Sequence, residues 1–174
     1  MIALLLASSL AAPVPKAKAE PYFPTREGAK MVFEYPAGRE TKEVEQTVTR
    51  VASERGTHTV TVETKAFGGV MTGEQVVSGD GITSKLGDQR TKTFQPAAGS
   101  TWTEQVSGRG KTEFTVGKEV EVKVPAGTYA AIPVACVDEH GTRMTTWYAQ
   151  GVGPVKMELD GQVVMELKAF TPGK

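Results

Sequence analysis

Cysteine occurs once in the 174 residues, at Cys136, so no disulfide can form within the chain. Histidine occurs twice, at His58 and His140, far apart in sequence. One thiol and two distant imidazoles make no cluster at metal-ligand spacing, so neither a metal nor another cofactor is expected. Basic runs are missing too. Lys and Arg number 20 against 20 Asp and Glu, for a formal net charge of zero, and no basic face points to a nucleic acid or an acidic membrane. No glycine cluster joins a strand to a helix, which excludes a phosphate-binding loop. No window carries an apolar 3.6-residue period, so no substantial helix is expected after the N-terminal segment.

Long hydrophobic runs are also absent, with one short exception. Residues 2–12, IALLLASSLAA, are apolar but fall short of the roughly 20 residues that span a bilayer as a helix. Pro13, Pro15 and the A-x-A triplet Ala17-Lys18-Ala19 follow, and together they read as a signal peptide (1–19) cleaved before Glu20. No Lys or Arg precedes the apolar run, which is atypical for such a signal. A secreted or periplasmic location is the expectation, with no transmembrane segment in the mature chain and no lipobox cysteine. Loss of Lys16 and Lys18 would leave 18 basic and 20 acidic residues, a net charge of −2.

What the chain has in quantity is alternation and turn residues. In KTEFTVGKEVEVKV (111–124), Phe114, Val116, Val120, Val122 and Val124 alternate with Glu113, Thr115, Glu119, Glu121 and Lys123. Period two predicts a strand with one buried face. Pro125-Ala126-Gly127 then reads as a three-residue hairpin loop with Gly127 at positive φ. In that register Val122 faces Ala130, Val120 faces Ile132 and Val116 faces Cys136, apolar on both sides. A two-residue loop would turn Ile132, Val134 and Cys136 to the wet face. The same test favours a three-residue loop Leu159-Asp160-Gly161, with Val155 opposite Met165. Glu139-His140-Gly141 can form a loop of this kind, with Cys136 opposite Met144 and Val134 opposite Thr146, but a two-residue loop that pairs Asp138 with Arg143 is also tolerable there. Gly117, inside a presumed continuous strand, is expected to be replaceable by alanine at little cost.

Further strands are predicted over 29–35, 40–52, 57–67, 68–77, 81–86, 90–94 and around Trp102 (101–106). About ten strands at regular spacing with Gly/Pro turns make residues 20–174 a single all-β domain, and sequential hairpins favour a meander. The VPAGTY of Val124 to Tyr129, the TTWYAQGVGPVK of Thr145 to Lys156, Tyr22-Phe23-Pro24 and Gly99-Ser100-Thr101-Trp102-Thr103 together resemble a TapB-like family of bacterial exported proteins of unknown function. Gln150 stands where that family usually has proline. The resemblance implies an antiparallel sheet curled into a half-barrel or open barrel, of the kind found in the lipoprotein carriers LolA and LolB.

Catalytic residues are not evident. Cys136 shares its strand's apolar face with Val134, and a thiol there is raised in pKa and inert. Glu119 and Glu121 sit on a wet face rather than across a cleft. Trp147 and Tyr148 are adjacent on a strand and so face opposite ways. Tyr148 shares the core face, which leaves Trp147 as the candidate lining of an apolar groove. The resulting expectation is a non-enzymatic exported domain that binds a lipid, an acyl chain or an envelope protein partner. The alternatives are a purely structural module and, more weakly, an enzyme of unidentified class.

Overall fold

A computed structural model describes residues 20–37, 40–66 and 68–174. The segment read as a signal, Gly38, Arg39 and Phe67 lie outside these residues. Thirteen strands run in order: β1 (Lys30–Ala37), β2 (Glu40–Glu54), β3 (Thr57–Ala66), β4 (Gly69–Ser78), β5 (Gly81–Leu86), β6 (Gln89–Phe94), β7 (Thr101–Val106), β8 (Gly110–Val116), β9 (Val120–Val124), β10 (Gly127–Asp138), β11 (Arg143–Ala149), β12 (Gly153–Leu159) and β13 (Gln162–Thr171). They form one antiparallel sheet, ordered β6-β5-β4-β3-β2-β1-β13-β12-β11-β10-β8-β7, with β9 on β10. The sheet curls into a nearly closed barrel, and no helix occurs among the described residues. β6 and β7 are the two lips. Trp102 of β7 spans the gap, its indole N–H donating to the Lys92 carbonyl of β6 at 3.1 Å.

Alternation decides which side chains fill the interior. Met31 and Phe33 of β1, Val48 of β2, Val60 of β3, Val77 of β4, Val155 of β12 and Leu167 of β13 are essentially inaccessible. Fully burying side chains of this size contributes about 1.5–3 kcal/mol each. The wet face carries ion pairs instead, among them Lys168 with Glu34 and Glu43.

Two expected hairpins differ from the structure, and for one reason. β9 and β10 pair with Val124 opposite Gly127 and Val122 opposite Tyr129, so the loop has two residues, Pro125 and Ala126. Beyond the break at Gly117-Lys118-Glu119, Val116 faces Val134 and Phe114 faces Cys136. Three residues there oppose two, Ile132 and Pro133. This extra residue shifts the alternation by one, so consecutive Ala131 and Ile132 are both buried. Each half of β10 thus buries its own apolar set. Likewise Leu159 pairs with Gln162 across a two-residue Asp160-Gly161 turn, and a register shift between Met157 and Glu158 brings Met157 opposite Met165. Of the two registers open to the β10–β11 hairpin, it takes the one with Cys136 opposite Met144 and Val134 opposite Thr146.

Gly127 does have positive φ, 136°, but as the first residue of β10 rather than the third of a loop. Gly117 is not dispensable. Its N–H donates to the Pro133 carbonyl at 2.8 Å, and a Cβ there would come within 2.7 Å of Pro133 Cγ.

Candidate functional site

The strand directions place the β2–β3, β4–β5 and β11–β12 turns at one end of the barrel, the mouth. The lead-in, residues 20–29, lies across this end. Gly151 N–H donates to the Pro21 carbonyl at 2.7 Å, and Phe23 is buried beside Gly153. Two motifs far apart in sequence, Tyr22-Phe23-Pro24 and the turn at Gln150-Gly151-Val152-Gly153, therefore meet. The β9–β10 hairpin runs past the end of β11 and folds back, so that the Ala126 N–H reaches the Leu167 carbonyl at 3.0 Å.

Under the lead-in the mouth holds a cavity of about 530 Å³. Its apolar wall is Pro21, Tyr22, Ile82, Phe94 and Pro96, and its polar rim includes Glu20, His58 and Gln150. Tyr22 and Phe94 lie 4.6 Å apart between ring centroids, and Phe94 and Tyr148 lie 4.8 Å apart, so three aromatics run from the cavity into the core. Burial, with a smaller contribution from the Glu119 carboxylate, raises the Tyr22 pKa. His58 Nδ1 and Ser53 Oγ share a 2.7 Å hydrogen bond on the rim side of the β2–β3 hairpin.

Tyr148 is buried, and its phenol is pushed up to about 12, first by burial; a hydrogen bond with Thr93 works the other way. A phenol whose folded pKa lies above its unfolded value of 10 stabilises the fold fully below pH 10. That contribution is lost as pH rises through 12. Two units correspond to about 2.7 kcal/mol. Urea melts should therefore show stability falling between pH 10 and 12, with that component absent in Tyr148→Phe. The same loss in both proteins would assign it to other groups.

Trp147 faces away from Tyr148, as the alternation requires. It lies opposite Pro133 and Lys156, is half-buried, and has Lys156 Nζ 5.2 Å from its ring centroid. It is not among the residues that line the mouth cavity. Cys136 is buried, and burial raises its thiol pKa against the opposing pull of the Arg109 guanidinium. Arg109 also bonds Asp138 (3.4 Å). Burial works to raise the Asp138 carboxyl, but N–H donors from Thr142 and His140 and the Arg109 guanidinium outweigh it and hold the group below its usual range. This network closes the β10–β11 loop, while His140 is exposed beside Glu139. Among the described residues, no three His, Cys, Asp or Glu side chains are grouped to hold a metal.

Sequence reasoning missed Tyr22, Ile82 and Phe94 as a group because they come from the lead-in, β5 and β6. The available signal was the Tyr22-Phe23-Pro24 motif, which in the sequence carries only the family resemblance.

The molecule is an all-β protein with a single antiparallel sheet nearly closed into a barrel and an apolar cavity at its mouth. No family model matches the chain, and no curated protein does. Among the solved structures that share the fold are two bacterial proteins. One is a candidate exported protein with a YmcC-like fold from Bacteroides fragilis NCTC 9343, at TM-score 0.58 and 14% identity, over 88% of this chain and 100% of that one. The other is a candidate lipoprotein from Parabacteroides distasonis ATCC 8503, at TM-score 0.61 and 13% identity, over 89% of this chain and 100% of that one.

Proposed function

We propose that this chain is an exported, non-enzymatic binding domain that takes an apolar ligand, a lipid or acyl chain, into the mouth of its barrel. The observation that carries the reading is the cavity of about 530 Å³ walled by Tyr22, Ile82 and Phe94. Its size falls within the range of clefts that enclose small ligands, and aromatic walls supply large contact area at low entropic cost. Export rests on the apolar segment 2–12 with its Ala17-Lys18-Ala19 site, and on fold neighbours described as exported or as a lipoprotein. The TapB-like resemblance of the turns belongs to the same proposal.

Titration with an apolar fluorescent probe, alongside urea melts, tests it. The wild type should bind. Tyr22→Ala should weaken uptake roughly tenfold, or about 1.4 kcal/mol, with a smaller change in the melt. Trp147→Ala, outside the cavity wall, should leave uptake unchanged. If the wild type takes up no apolar probe, or Tyr22→Ala binds as well as the wild type, the reading fails and a structural module of the envelope becomes the better account.

A further inference from the structure

A second cavity, of about 260 Å³, lies on the concave face of β2–β5 at the end of the barrel away from the mouth. We propose that it is a binding site for a neutral saccharide, independent of the apolar ligand proposed for the mouth. The argument starts from Gly73. It lies in the interior of β4, opposite Val62 of β3. Its φ is not among the positive values that demand glycine. A Cβ at Gly73 would meet only the Lys85 carbonyl oxygen, at 3.6 Å, an ordinary contact. Neither backbone conformation nor crowding requires glycine here. A strand glycine is destabilising, and one without a structural cause marks a place where something else approaches.

The side chains around Gly73 say what approaches. Toward the mouth, the same face presents Val60, Val77, Ile82 and Phe94, all buried. Around Gly73 it presents Gln46, Thr64, Gln75 and Ser84, with Met71 at the rim. Ser84 Oγ donates to Gln75 Oε1 at 2.7 Å, which leaves the Gln75 amide N–H groups for another acceptor. Neither the Gln46 carboxamide nor the Thr64 hydroxyl has a side-chain hydrogen bond among the described residues. Lys85 contributes no free charge, because its Nζ is paired with Glu74 at 2.9 Å. Apart from that paired lysine, the lining is uncharged and offers both donors and acceptors. Met71, 60% exposed, adds an apolar edge. Hydroxyls that donate and accept in turn, on a ring with apolar C–H faces, match this arrangement. The volume lies just below the roughly 300 Å³ at which ligand clefts begin, so one sugar residue or the end of a glycan fits, not a long chain.

Saturation-transfer NMR against glucose, galactose, mannose, N-acetylglucosamine and their disaccharides tests the assignment. At least one sugar should receive saturation from the wild type. Gly73→Val adds a side chain suited to a strand and fills the space. It should abolish the transfer while leaving the urea midpoint unchanged or raised. Gln75→Leu should abolish it too, and Gly73→Ala should weaken it. Tyr22→Ala should leave it intact, which separates this site from the mouth. The proposal is overturned if no sugar in the set is saturated, if transfer survives Gly73→Val, or if it is lost only in Tyr22→Ala.

Discussion

Truncating Tyr148 to alanine is expected to cost roughly 3–5 kcal/mol, the range for large buried aromatics. The side chain is 9% exposed, packs on Phe94 at 4.8 Å and reaches Thr93 with its hydroxyl. Its loss would open a cavity between the β6 lip and β11 that rigid barrel walls can collapse only in part. A small domain is stable by only about 5–15 kcal/mol, so this single change consumes a large share. Trp147→Ala should cost far less, about 1 kcal/mol. That side chain is half-buried, and the Lys156 contact over its ring is of the exposed kind. Urea melts of the two variants decide the matter. Equal losses would mean that the interior and exterior faces of β11 have been misassigned.

Gly81→Ala should rank with it, at roughly 2–6 kcal/mol, through a different cause. Gly81 has φ 136°, and a Cβ there would collide with the Phe94 backbone carbonyl. Left-handed strain contributes about 1–3 kcal/mol, and displacing the β6 backbone contributes about 1–3 kcal/mol more, as for other overpacked sites. Ile82 pairs with Phe94, so the displacement would also move the wall of the mouth cavity, and probe uptake should fall with the melt. Gly79→Ala is the control, because nothing lies within 4 Å of a Cβ there. A wild-type melt for Gly81→Ala would refute the close approach of β5 to β6.

The class of fold was legible because alternation is local. Val44 and Val48, then Val60 and Val62, announce their faces within a few residues, and the strands they mark are where period two placed them. Register was less legible wherever a strand carries an extra residue. Three-residue loops follow from the pattern only if alternation is unbroken from Phe114 to Val124 and from Val155 to Leu159. The chain instead keeps the tight turns that Pro125-Ala126 and Asp160-Gly161 favour and corrects the faces with irregularities at Gly117–Glu119 and at Met157/Glu158. Nothing in a period-two pattern shows such a correction, although Gly117 was a clue once a strand glycine is asked what it is for. The mouth cavity was illegible because Tyr22, Ile82 and Phe94 converge only after closure. Trp102 was visible but looked like one more strand aromatic; its use as a bridge between lips needs the topology.

That topology has a kinetic consequence. Every pairing in the sheet joins strands that are neighbours in the chain, apart from β8 with β10, which bracket β9, and β1 with β13. Two meanders, β1–β6 and β7–β13, can therefore zip from local hairpins with short loop closures. Joining them requires Lys30 to find Thr171, which closes a loop nearly as long as the domain. Loop entropy grows only slowly with length, by about 0.6 kcal/mol per doubling, but it must be met before the β1–β13 ladder returns anything. Non-local pairing of this kind is intrinsically slow. Until that last seam zips, each half displays two raw edges and an uncovered apolar face, and this interval is when the nascent barrel is most open to aggregation.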